Sequence, residues 1–300
     1  MAKKPRLGLV GVGMMGHGLA ANLLRKGFPL AFLAHPGNRP TGDLIALGAT
    51  ASDAADALAA ASDALLLCLP GSPEVDAAMD GTHGVLAGLR NGTIVIDFST
   101  SAPDATLRVA QAVTARGGRF ADAPMTRTPK EAEEGRLNLM VGADDETLAE
   151  IRPILEAVAE NIYHAGPISA GHRLKLLHNF LALGNSALLA EALVCAAKGQ
   201  VNLETLCDVI ASGGADSAVF RRIRPYIERG DDSAFRFSLA NAYKDMGYYL
   251  NMAGGGTVAA PGAAAVHQIY ALAMNLGQGR GFVPQLIDLL GAAHGVKPRH

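Results

Sequence analysis

Cysteine is scarce: Cys68, Cys195 and Cys207 are all that the 300 residues contain. Their spacing matches neither a zinc ligand set nor a disulfide framework, and each lies among apolar neighbours, so they read as reduced core residues of a cytoplasmic protein. The nine histidines are scattered, with no His/Asp/Glu cluster at ligand spacing, and no metal is expected. An excess of one charge is missing too. The formal net charge is -2, which gives no global pull toward nucleic acid or an anionic membrane, so anion recognition must be local. There is no nucleophilic-serine turn, no repeat of fixed period and no low-complexity linker. The N-terminal Met-Ala-Lys-Lys-Pro runs into an apolar strand without a signal-peptide core, and export is not expected. The apolar run from Phe180 to Ala197 has about the length of a membrane span, but Asn185, Ser186 and Glu191 would be costly in lipid, so a buried helix is expected.

What is present is a globular chain, 49% hydrophobic and 18% charged, long enough for two domains. Leu7 to Val10 is a short apolar run followed at once by Gly11-Val12-Gly13-Met14-Met15-Gly16 and a helical pattern through Leu19, Leu23 and Leu24. Strand, glycine turn and helix are the context of a dinucleotide-binding fingerprint. Gly11 permits the turn, Gly13 lets a pyrophosphate approach the backbone, and Gly16 lets helix and strand pack closely, while the helix N-terminus offers free N–H groups to phosphate. The second strand, Leu30 to Leu33, should end in a carboxylate if it holds the ribose 2′-OH of NAD. None occurs between His17 and Gly42; His35, Asn38 and Arg39 stand there instead, so NADP is expected, with NAD possible and with a solvated loop as the other reading of Arg39.

Further βα units follow, with strands expected at 64–69, 93–98, 120–123, 137–141 and 162–165. Their C-terminal edges, Leu69 and Pro70 after one and Ser99 and Thr100 after the next, are where a cofactor should lie. Ser101 reads as a hydroxyl facing the cofactor, as a helix N-cap ahead of Pro103, or as both at once. Alternation of strands and helices up to residue 166 predicts an α/β fold, an N-terminal doubly wound parallel sheet of Rossmann type over 1–166. From 167 to 300 only helical patterns appear, which predicts an all-α C-terminal domain beginning with a long interdomain helix.

That helix opens with Gly171-His-Arg-Leu-Lys175-Leu-Leu-His-Asn179. Lys175 and Asn179, four apart, share one face with the small Ala182 and Ser186, leaving room for a ligand. Leu174, Leu177, Leu181 and Leu188 form a second stripe that reads as core. By itself Lys175 reads equally as a site residue and as a solvated helix lysine. His172 and His178 read as outer or surface histidines, and Arg221, Arg222 and Arg224 as a solvated helix face or subunit contact.

Four segments in this order resemble the β-hydroxyacid dehydrogenase family, which includes 3-hydroxyisobutyrate dehydrogenase, tartronate semialdehyde reductase and 6-phosphogluconate dehydrogenase. They are the glycine turn at 11–16, Asp122-Ala-Pro-Met-Thr126-Arg127-Thr128, Gly171-x-x-x-Lys175-x-x-x-Asn179, and Tyr243-Lys244-Asp245. The resemblance implies an NAD(P)-dependent oxidoreductase that interconverts a short β-hydroxy acid and its semialdehyde, with the small anionic substrate held between a Rossmann and a helical domain. It implies Lys175 as catalytic acid/base, Asn179 as a substrate contact, Thr126, Arg127 and Thr128 as the substrate-anion clamp, and Lys244 as a second lysine reaching the cofactor. Most of the family carries Ser-Gly-Gly where this chain has Thr-Arg-Thr, which is closer to the sulfolactaldehyde reductase branch, as is Arg173; a sulfonated aldehyde is therefore the alternative substrate. Arg127 has a structural reading as well, paired with Glu131 or Glu134. A catalytically idle dinucleotide-binding protein is the rival from another class, and the Ala- and Gly-rich helical half suggests a homodimer or homotetramer.

Overall fold

The computed structural model describes residues 4–298. These fall into two compact units, one ending at Lys175 and one starting at Leu176. In the first, β1 (Leu7–Val10), β2 (Leu30–Leu33), β3 (Thr50–Ser52), β4 (Ala64–Leu67), β5 (Ile94–Asp97) and β6 (Arg119–Asp122) pair in parallel in the order β3-β2-β1-β4-β5-β6. The order reverses beside β1, so the glycine turn leaving β1 sits at the switch point where open α/β sheets bind ligands. The sheet continues through β7 (Met125–Thr126), β8 (Leu137–Gly142) and β9 (Ala159–Gly166), with β8 antiparallel to β6 and β7 and parallel to β9.

Every residue of β1, β4 and β5 is buried, because each face of the sheet carries its own apolar layer. Leu7, Leu9, Leu66 and Ile96 pack with Leu19, Leu23, Ile151 and Leu155 on one face. Val10, Leu65, Leu67 and Val95, alternating with them, pack with Leu58, Val75, Val109 and Val113 on the other. At roughly 1.5–3 kcal/mol for each fully buried side chain of this size, these two layers are the main stabilisation of the unit. The strands expected from sequence are all present. Two that were not expected, β3 and β7, lack an apolar run: Thr-Ala-Ser is an exposed edge, and Met-Thr is too short to show a period.

In the second unit, the helices Leu203–Ser212, Ala218–Arg229, Leu239–Gly255, Pro261–Asn275 and Leu286–Ala293 share one apolar core with the later part, from Leu183 onward, of the long helix Ala170–Lys198. Asn202 caps the first of these through Thr205 N at 2.8 Å, as its sequence suggests. The long helix is the one described helix long and apolar enough to cross a membrane, by length and composition. It is a core helix: Leu183, Ala187, Ala190, Leu193 and Val194 belong to the apolar centre of this unit.

The stripes of that helix are the reverse of the expected ones. Lys175, Asn179 and Ser186 are buried, whereas Leu174, Leu177, Leu181 and Leu188 are exposed, Leu181 at 65% and Leu188 at 61%. One reason is that Asn179 is bonded to Asp245 of the helix Leu239–Gly255, a partner distant in sequence that a hydrophobic period cannot detect. Cys207 is buried, Cys68 half-buried and Cys195 exposed, so only one of the three cysteines is a full core residue. Ser101 does not cap the helix Pro103–Ala115; its hydroxyl donates to Asp97 Oδ2 at 3.4 Å, and Ala102 holds the cap position.

The start of the long helix is tied down within the first unit. Asp122, the last residue of β6, accepts from Ser169 N at 2.6 Å and from His172 N at 2.7 Å, so a carboxylate from the sheet occupies the positive end of the helix. Such proximity needs glycine at 171, where a Cβ would lie 2.3 Å from Met140 O and 2.8 Å from Asp122 Oδ2. Helix propensity alone would make Gly171→Ala stabilising by about 1 kcal/mol. We expect a net loss of about 2 kcal/mol instead, read from urea unfolding, because backbone must move to admit the methyl group; an unchanged or raised midpoint would show that the approach is not limiting.

Candidate active site

The glycine turn divides its labour as the sequence suggests. Gly11 has φ +100°, and a Cβ there would lie 2.3 Å from Cys68 O; at Gly16 it would lie 1.9 Å from Gly11 O. At Gly13 it would meet nothing within 4 Å, so this glycine borders open space. Gly13 is also the N-cap of the helix Met14–Arg25, with no side-chain cap over the first-turn N–H groups. A backbone cradle left open at a helix N-terminus fits a dinucleotide pyrophosphate. Val12, Met14 and Met15 belong to the same turn, with Met14 exposed.

Beyond β2, the donors expected for a 2′-phosphate have structural duties. Asn38 Oδ1 accepts from Val12 N at 3.2 Å and its Nδ2 donates to Leu33 O at 2.9 Å, so the amide ties the end of β2 to the glycine turn. His35 Nδ1 accepts from Gly37 N at 3.0 Å. Arg39 pairs with Glu133 at 3.2 Å, both side chains about half exposed, a contact worth little and easily exchanged for another anion. On the next edges, Ser99 Oγ accepts from Leu69 N at 3.0 Å, which joins the segment Leu69–Pro70 to Ser99–Thr100.

The segment Thr126–Thr128 is held from several sides. Thr126 Oγ1 accepts from Asn138 Nδ2 at 3.2 Å. Thr128 N donates to Glu131 Oε2 at 2.9 Å, and the Thr128 hydroxyl bonds the same carboxylate at the start of the helix Pro129–Glu133. Arg127 between them has φ +85°, a conformation that L-residues adopt rarely and at a cost. Its guanidinium donates to Arg136 O and pairs with Glu160 on β9, not with Glu131 or Glu134. Arg127 holds the Glu160 carboxyl below the usual range. To grip a substrate, Arg127 must exchange this partner.

Lys175 is 8% exposed, which sets aside the solvated-lysine reading, since lysine is rarely buried without a task or a partner. It lies in the second turn of the helix whose start Asp122 caps. Burial raises the Asp122 carboxyl, while the His172 ring and the two N–H bonds oppose the rise. A second buried carboxylate, Asp97, accepts from Ser99 N at 2.9 Å. Sequence reasoning gave neither aspartate a role. The available signal was position: each is a carboxylate at the C-terminal end of a strand, after Ile94–Ile96 in one case and after Phe120 and Ala121 in the other.

In the second unit, Asn179 Nδ2 donates to Asp245 Oδ2 at 2.7 Å, and His178 Nδ1 lies 3.0 Å from Asn179 Oδ1, so both ends of the amide are oriented. Lys244 Nζ stands 3.2 Å from Asp245 Oδ1 and 5.3 Å from the centre of the Tyr248 ring. Asp245, 2% exposed, therefore links Asn179 and Lys244, two residues singled out separately in the sequence. Arg221 and Arg224 pair with Asp216, Asp208 and Glu228 on a solvated face. No group of metal-ligating side chains occurs among the described residues.

Comparison with known proteins covers the chain almost end to end. Residues 6–166 match the NAD binding domain of 6-phosphogluconate dehydrogenase, and residues 169–289 match the NAD-binding domain of NADP-dependent 3-hydroxyisobutyrate dehydrogenase. A 2-(hydroxymethyl)glutarate dehydrogenase of Eubacterium barkeri is 34% identical over 298 residues, 99% of this chain and 98% of the relative. A 3-sulfolactaldehyde reductase of Escherichia coli is 31% identical, covering 91% of this chain and 92% of its own. The solved 3-hydroxyisobutyrate dehydrogenase of Mycobacterium tuberculosis with L-serine superposes with a TM-score of 0.85 at 26% identity, over 96% of this chain and 99% of that one. Two successive family matches, over 6–166 and 169–289, and relatives above 30% identity along nearly the full length, place the chain in the β-hydroxyacid dehydrogenase family, as an NAD(P)-dependent oxidoreductase acting on the CH–OH group of small hydroxy acids.

Proposed function

We propose that Lys175 is the acid/base of this oxidoreductase and that its substrate is a primary alcohol, or the matching aldehyde, on a short chain ending in an acid. The observation that carries the reading is the burial of a lysine one turn beyond the helix start that Asp122 anchors. A bound nicotinamide supplies or accepts the hydride. In reduction, Lys175 Nζ donates a proton to the carbonyl oxygen and polarises it beforehand; in oxidation, neutral Lys175 takes the hydroxyl proton. Asn179, oriented by Asp245 and His178, is the substrate contact, and Lys244 reaches the cofactor side. We expect Lys175→Ala to leave cofactor affinity within a few-fold and to lower kcat by about 10² or more. Near-normal turnover would sink the assignment.

Gly11 to Gly16, Leu69, Pro70, Ser99 and Thr100 are proposed to hold the cofactor, with His35, Asn38 and Arg39 around a 2′-phosphate. Support for NADP comes from the end of β2, where Ala34 to Arg39 contains no carboxylate. NADPH should serve at least as well as NADH in steady-state assays. A strong NADH preference that Arg39→Ala leaves unaltered would overturn this.

The relatives named above act on 2-(hydroxymethyl)glutarate, 3-hydroxyisobutyrate and 3-sulfolactaldehyde, which share an acid group close to the reacting carbon. Thr126, Arg127 and Thr128 are proposed to bind it, supported by the strained φ of Arg127, and the sulfonate reading rests on the same guanidinium, whose fork of donors suits either anion. Arg127→Ala should raise KM for an acid substrate by about 10-fold or more and leave a neutral aldehyde little affected, whereas Glu160→Gln, which releases Arg127, should not raise it. Equal losses with charged and neutral substrates would return Arg127 to a structural role. We also propose a cytoplasmic homodimer or homotetramer, supported by Leu177, Leu181 and Leu188, which form an exposed apolar stripe of the kind other chains cover.

A further inference from the structure

His172 is fully buried at the end of the parallel sheet, and the chemistry above does not use it. Its Nε2 lies 3.0 Å from Ser99 O, which can only accept, so that nitrogen carries a proton. Its Nδ1 exchanges a hydrogen bond of 2.7 Å with Thr106 Oγ1 on the helix Pro103–Ala115. The ring stands between the two buried carboxylates, with Nε2 3.8 Å from Asp97 Oδ2 and Nδ1 3.7 Å from Asp122 Oδ2. Burial and the Asp97 carboxylate push the nearby Cys68 thiol up to about 12, so it stays neutral at ordinary pH and adds no charge to the cluster.

Asp122 already fixes the helix end through the N–H groups of Ser169 and His172, bonds that any residue at 172 except proline would make. The imidazole adds something separate: it reaches sideways to the end of β5 and to Thr106, and so sets the roll of the helix about its axis. Lys175 is three residues on, on the same face. We infer that His172 is a positioning residue for Lys175, locking the first helical turn to the Asp97–Ser99 edge so that the lysine amine stays aligned with the cofactor and the reacting oxygen. This rests on the acid/base reading of Lys175. An apolar side chain of similar volume would leave Ser99 O and Thr106 Oγ1 without this partner and Asp97 and Asp122 facing each other without the ring, an arrangement that favours a shift of the helix.

The test uses His172→Gln, His172→Phe and Thr106→Val in the full chain, assayed with 2-(hydroxymethyl)glutarate and 3-hydroxyisobutyrate and both oxidised cofactors. Cofactor Kd, kcat, KM, the pH midpoint of kcat and thermal stability are read together. The rate of reductive methylation of each lysine against pH, by peptide mass spectrometry, reports Lys175 without any substrate. His172→Phe should lower kcat by about 10- to 100-fold, as expected for a misplaced catalytic group, with cofactor Kd changed by less than about 3-fold. His172→Gln, which keeps a donor toward Ser99 O, should recover part of the loss, and Thr106→Val should give a smaller loss in the same direction. The pH midpoint of kcat and the methylation profile of Lys175 should shift together while Lys130 and Lys198 are unchanged. An unaltered kcat, or a fall that follows lost stability with both profiles of Lys175 unmoved, overturns the inference. Should His172→Phe fail to fold, the other two variants decide by the same criteria. Should the unaltered protein and Lys175→Ala be equally inert, the acid/base reading fails on its own, and an unmoved Lys175 methylation profile in His172→Gln and Thr106→Val would still overturn the positioning role.

Discussion

The Asp122 carboxylate at the N-terminus of the long helix is the contact that ties the start of the helix carrying Lys175 to the sheet. Its two bonds to backbone N–H groups are charge-assisted and fully buried, a class worth about 1.5–3 kcal/mol each, and they act where the helix dipole favours an anion. Room for them is made by two glycines. A Cβ at Gly142 would lie 2.4 Å from Asp122 Oδ1, and one at Gly171 would strike Met140 O. Asp122 and Gly171, members of two motifs far apart in sequence, are thus the two halves of one joint.

Buried carboxylates recur as organisers of the chain. Asp97 receives Ser99 N and the Ser101 hydroxyl at the edge where a cofactor is proposed to lie. Asp122 caps the helix carrying Lys175, and Asp245 joins Asn179 to Lys244 within the helical unit. Asp97 and Asp122 accept from segments next to a strand end and a helix start, and Asp245 from a side chain of the long helix, so each buried carboxylate is held by hydrogen bonds. Arg127 contrasts with them: it is half-buried, sits on a strained residue and is paired with the exposed Glu160, a contact that an incoming anion can replace.

By itself the sequence determined the broad outcome. Strand, glycine turn and helix at 7–25, apolar runs at 64–67 and 94–96, and helical periodicity after 167 specify a doubly wound sheet followed by helices, because those patterns record local geometry and burial directly. The motif residues Lys175, Asn179 and Lys244 were legible through family resemblance, and the task of Gly11 and Gly16 through the turn they must make. What only the tertiary structure decided is which residues meet. The roles of His172, Asp97 and Asp122 depend on strands and a helix that converge from distant parts of the chain, and no period or spacing encodes that encounter. For the same reason the faces of the long helix came out reversed: Leu181 and Leu188 are exposed while Lys175 and Asn179 are buried, because burial follows what packs on each face, and a hydrophobic stripe says only which face would gain from it.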